Sequence, residues 1–112
     1  MRYPVIYSNN IAEWQAGFAW GPLIFIRPAY REDEGLYQHE LTHVKQWFLT
    51  LTLHWFLYRI RRYRLWAEAR AYHKQMQYPD RNGKNLSLDD AAERLAANYD
   101  LGITVEQAKK YI

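Results

Sequence analysis

His39-Glu40-Leu41-Thr42-His43 sets two imidazoles and a carboxylate at a spacing that can hold a metal ion and work on a water beside it. On a helix the two histidines sit roughly 40° apart around the axis and about 6 Å along it, so both rings can reach one ion. Glu40 lies roughly 60° from His43, where a base for a metal-bound water belongs. This His-Glu-x-x-His pattern is the signature of zinc-dependent peptide hydrolysis. Its bland counterpart is a surface helix with two unrelated histidines.

A catalytic zinc commonly takes three protein ligands and keeps one position open, so the pair needs a partner. His54, His73 and several carboxylates are candidates. His54 lies about 16 Å beyond His43 along a continuous helix and cannot share the ion unless that helix breaks. Glu68 fits better: it follows His43 by twenty-five residues, after an arginine-rich segment where the chain can turn back. Ala67, Ala69 and Ala71 around it would let its helix approach the motif helix closely. Without the upstream motif, Glu68 would read as a solvated or arginine-paired surface charge.

The elements that must position these groups follow from pattern. Tyr3 to Tyr7, Glu13 to Trp20 and Leu23 to Arg27 are rich in aromatic and β-branched residues, separated by the turn signals Asn9-Asn10 and Gly21-Pro22. Three short strands predict a small antiparallel sheet. Pro22 and Pro28 bracket the third, which predicts an edge strand. Asp33 or Glu34 starts the motif helix, and its apolar periodicity predicts one long central helix to about Leu57. A second helix is expected from about Tyr63 to Tyr78, stopped by Pro79. The following Asp80-Arg81-Asn82-Gly83 is a turn, since it lacks the spacing and closing glutamate of a calcium loop. Ser87 caps a third helix that ends by Gly102, and Thr104 with Gln107 forms a capping box for a short last one.

The chain resembles the gluzincin zinc metallopeptidases, in particular their small single-domain forms, the minigluzincins. The resemblance rests on His39-Glu40-x-x-His43 and, more loosely, on the helix around Glu68, and it covers roughly residues 22 to 73. It implies a minimal zincin-like α+β fold: a small N-terminal antiparallel sheet packed on the motif helix, a glutamate helix and two short C-terminal helices. It also implies Zn2+ held by His39, His43 and Glu68, with Glu40 as general base, and an edge strand at Leu23 to Arg27. The metzincin pattern of a third histidine after a nearby glycine is absent, as Val44-Lys45-Gln46-Trp47-Phe48 stands there. The Gly-Thr-x-Asp segment of aspartate-ligated zincins is absent too.

The expected chemistry is hydrolysis of a peptide or unfolded protein segment by a zinc-bound water that gives its proton to Glu40. Tyr72, one turn after Glu68 and about 40° from it, is the expected oxyanion donor, with Tyr30 a weaker rival. His73 points about 140° away from Glu68 and is set aside. An extended substrate is expected to pair with the edge strand, which assigns substrate binding to Ile24, Phe25 and Ile26.

Length and composition bound these expectations. The 112 residues predict one domain over 1–112, with a modest core in which five Trp and ten Tyr supply much of the buried area. With no cysteine, disulfides, thiolate ligands and cysteine nucleophiles drop out. The net charge of +3 is concentrated early: residues 1 to 78 carry ten basic and six acidic side chains, residues 79 to 112 five and six. That leaves the last two helices poorly suited to gripping phosphates, so nucleic-acid binding is disfavoured. Met1-Arg2-Tyr3-Pro4 does not open a secretory signal, which makes a cytoplasmic location the default. The apolar run Trp47 to Tyr58 is too short for a full span and reads first as a buried continuation of the motif helix; membrane or partner contact is the second reading. The competing function is a catalytically silent zinc-binding or membrane- or partner-interaction module of the same fold.

Overall fold

The computed structural model describes residues 2–50 and 53–112, Trp55 by its backbone only. The fold is α+β: among the described residues there are three strands, β1 (Val5–Tyr7), β2 (Gly17–Trp20) and β3 (Leu23–Ile26), then five α-helices. These are α1 (Glu34–Leu49), α2 (His54–Leu57), α3 (Arg61–Gln75), α4 (Leu88–Asn98) and α5 (Val105–Tyr111). Among the described residues no helix is long and apolar enough to cross a membrane.

The sheet is mixed and ordered β1-β3-β2, with β1 parallel to β3 and β2 antiparallel to it. Two expectations are thereby corrected. The sheet is not purely antiparallel, because the chain crosses from β1 past β3 and returns through the β2–β3 hairpin. β3 is the central strand, not an edge. Its prolines stand outside the paired stretch: Pro22 precedes Leu23, and Pro28 opens a 3-10 turn at Pro28–Tyr30, so neither removes a ladder donor. The free edge nearest α1 belongs to β2.

Alternation along β3 sends Ile24 and Ile26 into a core with Ala19, Tyr37 and Val44, where the sheet packs on α1. Phe25 faces the other way, its ring 6.2 Å from that of Phe18. A second core of Ala69, Tyr72, Ala91, Ala92, Leu95, Leu101 and Ala108 joins α3 to α4 and α5. The seam between the two cores is the α1–α3 contact. Gly35 makes the approach close: a Cβ there would lie 3.1 Å from the Tyr78 carbonyl oxygen and 3.2 Å from that of Gln75. Gly35 N donates to the Pro79 carbonyl at 2.9 Å and ties the start of α1 to the end of α3.

α1 is capped by Asp33, whose carboxylate accepts from Leu36 N at 2.8 Å. It ends at Leu49, earlier than its periodicity predicts. The Thr50 hydroxyl bonds back to the Gln46 carbonyl at 2.9 Å, and the Thr50 backbone leaves the helix. The expected continuation through Leu51 and Thr52 falls outside the described residues. α2 is a separate single turn, so the long central helix is two pieces. The caps at Ser87 and Thr104–Gln107 form as expected.

Arg27, just past β3, binds the loop before β2. Its guanidinium donates to the carbonyls of Gln15 at 2.7 Å, Ala12 at 2.9 Å, and Asn9 and Ile11 at 3.2 Å. Replacing it by alanine leaves these acceptors to water and frees the loop. Urea denaturation of Arg27→Ala is expected to read a loss of about 2 kcal/mol.

Candidate metal centre

α1 and α3 face each other so that His39, His43 and Glu68 converge, all buried. Glu68 Oε1 lies 3.2 Å from His43 Nε2 and 3.4 Å from His39 Nε2. The three ligand atoms lie within 4.8 Å of one another, and no other such group converges among the described residues. Zinc bonds of about 2.0–2.2 Å in tetrahedral geometry set neighbouring ligand atoms roughly 3.3 Å apart, close to both of these separations.

The other ring nitrogens decide the chemistry of the three. His43 Nδ1 is 2.9 Å from Gln46 Oε1, and the Gln46 amide is oriented by its Nε2 donating to the Ala67 carbonyl at 3.0 Å. His39 Nδ1 is 2.9 Å from Gln75 Oε1. Each imidazole therefore carries its proton on Nδ1 and turns the Nε2 lone pair towards the Glu68 carboxylate. Three acceptors aimed at one point need a cation or a proton between them. This donor set fits a zinc ion.

In the metal-free protein a proton serves. Burial disfavours the His43 imidazolium, but the Glu68 charge and hydrogen bond, helped by Glu40 and Gln46, overcome it and push its pKa up to about 9. Burial likewise works against the Glu68 carboxylate, yet the two histidines hold it well below the ordinary range. Glu40 is shifted the other way. Burial, reinforced by the Glu68 charge, raises it against the pull of His39 and His43. Glu40 stands against β2: a Cβ on Gly17 would come within 3.3 Å of its Oε2. Glycine there leaves the carboxylate its place.

Glu68 uses its second oxygen as well. The Tyr58 hydroxyl donates to Oε2 at 2.5 Å, which leaves Oε1 for the point the histidines share. Burial and the Glu68 charge hold the Tyr58 phenol protonated. Tyr58 reaches Glu68 because α1 breaks. The same break overturns the exclusion of His54 by distance: its ring centroid is 6.0 Å from that of His43. It is still outside the converging group, with Nδ1 2.7 Å from the Tyr63 hydroxyl, and burial with the His43 charge pushes its pKa down to about 4. His73 is exposed on α3, away from the cluster.

Tyr72 sits at the site, its ring 4.6 Å from that of His39 and its hydroxyl 2.7 Å from the hydroxyl of Tyr99. Burial keeps both phenols protonated. The pair shares one hydrogen bond, so one hydroxyl proton is left to donate elsewhere. Tyr30 lines the same cleft under the Arg81 guanidinium, 4.2 Å from its ring centroid. The cleft is about 930 Å3, large for so short a chain, and runs between the outer side of β2 and α3–α4, over His39, Glu40, His43 and Glu68. Ile24 and Ile26 do not line it. They are core residues, since β3 is covered on both edges and its alternate side chains face α1. Gly17, Phe18 and Ala19 of β2 occupy the place assigned to Ile24, Phe25 and Ile26.

Sequence reasoning missed Gln46, Gln75, Tyr58 and Tyr99. Two of them carry a signal that helical spacing could have found: Gln46 is one turn after His43, and Gln75 two turns after Glu68. No family model, curated protein or solved structure matches the chain.

Because a proton occupies the metal-free site, zinc must displace it. Below about pH 9, zinc affinity is expected to fall about tenfold per pH unit. Calorimetry at neutral pH in buffers of different ionisation enthalpy should read about one proton released per zinc. Gln46→Ala, which frees the His43 ring, is expected to weaken zinc about 10- to 100-fold in a competition titration.

Proposed function

We propose that this protein is a zinc-dependent metallopeptidase of the glutamate-ligated kind, an endopeptidase acting on peptides or unfolded segments. The observation that carries the reading is the convergence of His39 Nε2, His43 Nε2 and Glu68 Oε1 with both Nδ1 atoms held by glutamine oxygens. The resemblance to gluzincins through His39-Glu40-x-x-His43 supports the same conclusion.

A zinc ion held by His39, His43 and Glu68 would supply Lewis acidity, able to polarise a carbonyl and to lower the pKa of a water towards about 7. Glu40, a carboxylate raised by burial and set beside the ligands, takes the proton of the attacking water and delivers it to the leaving amine. The raised pKa makes it a better base and keeps it able to hold the proton between the two steps. Tyr72 and Tyr99 share one hydrogen bond, and the remaining hydroxyl proton donates to the developing oxyanion. The substrate lies extended along the cleft and pairs with the outer edge of β2 from Gly17 to Trp20. Tyr58 holds Glu68 in place through the oxygen that faces away from the histidines.

Glu40→Gln separates binding from chemistry. It is expected to keep zinc at the parent level and to lower kcat on an unfolded protein substrate by about 10²- to 10⁴-fold. Glu68→Ala should lose zinc in the same preparation. Tyr72→Phe is expected to lower kcat by at least about tenfold with little change in KM. An active Glu40→Gln protein, or a parent that binds zinc and cleaves nothing, rules the peptidase reading out.

A further inference from the structure

The end of α1 and the turn after it show apolar side chains to water. On α1, Phe48 and Leu49 are 55% and 72% exposed, and Lys45, one turn before them, shares their face. Through α2, Leu53, Phe56 and Ile60 follow helical spacing and are 52%, 70% and 54% exposed. Backbone bonds from Leu53 N to Thr50 O at 3.0 Å and from Ile60 N to Leu57 O at 2.8 Å make the segment one compact corner. The β2–β3 turn abuts it, with Gly21 backing on the Trp47 indole, and adds the exposed Trp20. The buried continuation of the motif helix expected over Trp47 to Tyr58 is therefore corrected: the helix ends, and much of the run is turned outward.

Along the chain the charge here is of one sign, and the acid brought beside it in space is Asp100, whose carbonyl shares the Arg64 guanidinium with those of Tyr58 and Arg59. From Leu41 to Ala67 the chain holds no acidic residue, while Lys45, Arg59, Arg61 and Arg62 are exposed there. None of the four forms an ion pair with a described residue. Arg59 stands 6.0 Å from the Phe56 ring, so cation and apolar surface are interleaved. This combination selects the occupant. A second copy related by a two-fold axis would oppose to itself a surface richer in cations than in acids. A bilayer with anionic headgroups accepts both features at once, the apolar side chains at the headgroup–acyl boundary and the cations on the phosphates.

We infer that this corner docks the protein on the surface of an anionic lipid bilayer, with Leu49, Phe56 and their apolar neighbours inserted and Lys45, Arg59 and Arg62 on the headgroups. The contact lies along the surface, since no described helix can span. It is independent of the metal chemistry, so its failure would leave the peptidase reading standing, and the reverse holds too.

Co-sedimentation of the full chain with unilamellar vesicles tests it, using phosphatidylcholine alone and phosphatidylcholine mixed with phosphatidylglycerol. The expected result is partition onto the mixed vesicles about tenfold or more above phosphatidylcholine alone. The Leu49→Ser, Phe56→Ser pair should abolish it, and the Arg59→Glu, Arg62→Glu pair should reduce it about tenfold or more. Circular dichroism and cooperative thermal unfolding report whether each variant is folded, and if the serine pair is not, the charge-reversed pair decides alone. No partition, equal partition onto both vesicles, or unchanged partition of a folded variant overturns the inference. So does self-association or capture of an acidic protein through this corner without vesicle binding.

Discussion

The whole arrangement depends on a buried carboxylate held against two imidazoles across the α1–α3 contact. Taking Glu68 out of water is costly unless opposite charge and hydrogen bonds replace its hydration. The replacements here are the proton or cation held between Glu68 and the two Nε2 atoms, 3.2 and 3.4 Å away, and the Tyr58 hydroxyl at 2.5 Å. The bonds that orient the histidines also fasten the helices. Gln75 on α3 holds His39 on α1, and Gln46 on α1 holds both His43 and the Ala67 carbonyl on α3. A change that separates the helices therefore disorders the ligands, and one that removes a ligand loosens the seam. Metal affinity and stability are coupled through the same few bonds.

That coupling explains where the small residues stand. Gly35 lets the start of α1 touch the end of α3, Ala67 and Ala71 are fully buried on α3, and Gly17 leaves room for the Glu40 carboxylate beside β2. With so few residues, the chain has two modest cores and places its polar cluster on the seam between them. Beyond α1, the separate turn α2 lies over the site, with Tyr58 on Glu68 and His54 alongside His43. The apolar corner left on the outside is the other side of that turn.

Local signals were legible wherever one helix or one turn contained them. The spacing of His39 and His43 and the caps at Ser87 and Thr104 are short-range patterns, and the structure places each as its pattern implies; of the alanines around Glu68, Ala69 packs instead in the second core, towards α4 and α5. What was not legible is pairing and interruption. Whether β3 lies in the middle depends on β1 crossing to it in parallel, which no residue of β3 encodes. Its prolines read as edge signals although they flank the ladder and never enter it. The end of α1 falls inside a strong apolar periodicity, and its local mark is small: a Thr50 hydroxyl that shares the Gln46 carbonyl with the Thr50 N–H. Gln46 and Gln75 have ordinary identities, and only the partner helix gives them a role.

X-ray absorption at the zinc edge of the purified protein tests the central claim most directly, because it reads the ligands themselves. The account predicts a four-coordinate shell of nitrogen and oxygen at about 2.0–2.1 Å, with the outer-shell scattering of two imidazoles, from His39 and His43. A shell of six oxygens, a single imidazole, or a protein that takes up no zinc would contradict it.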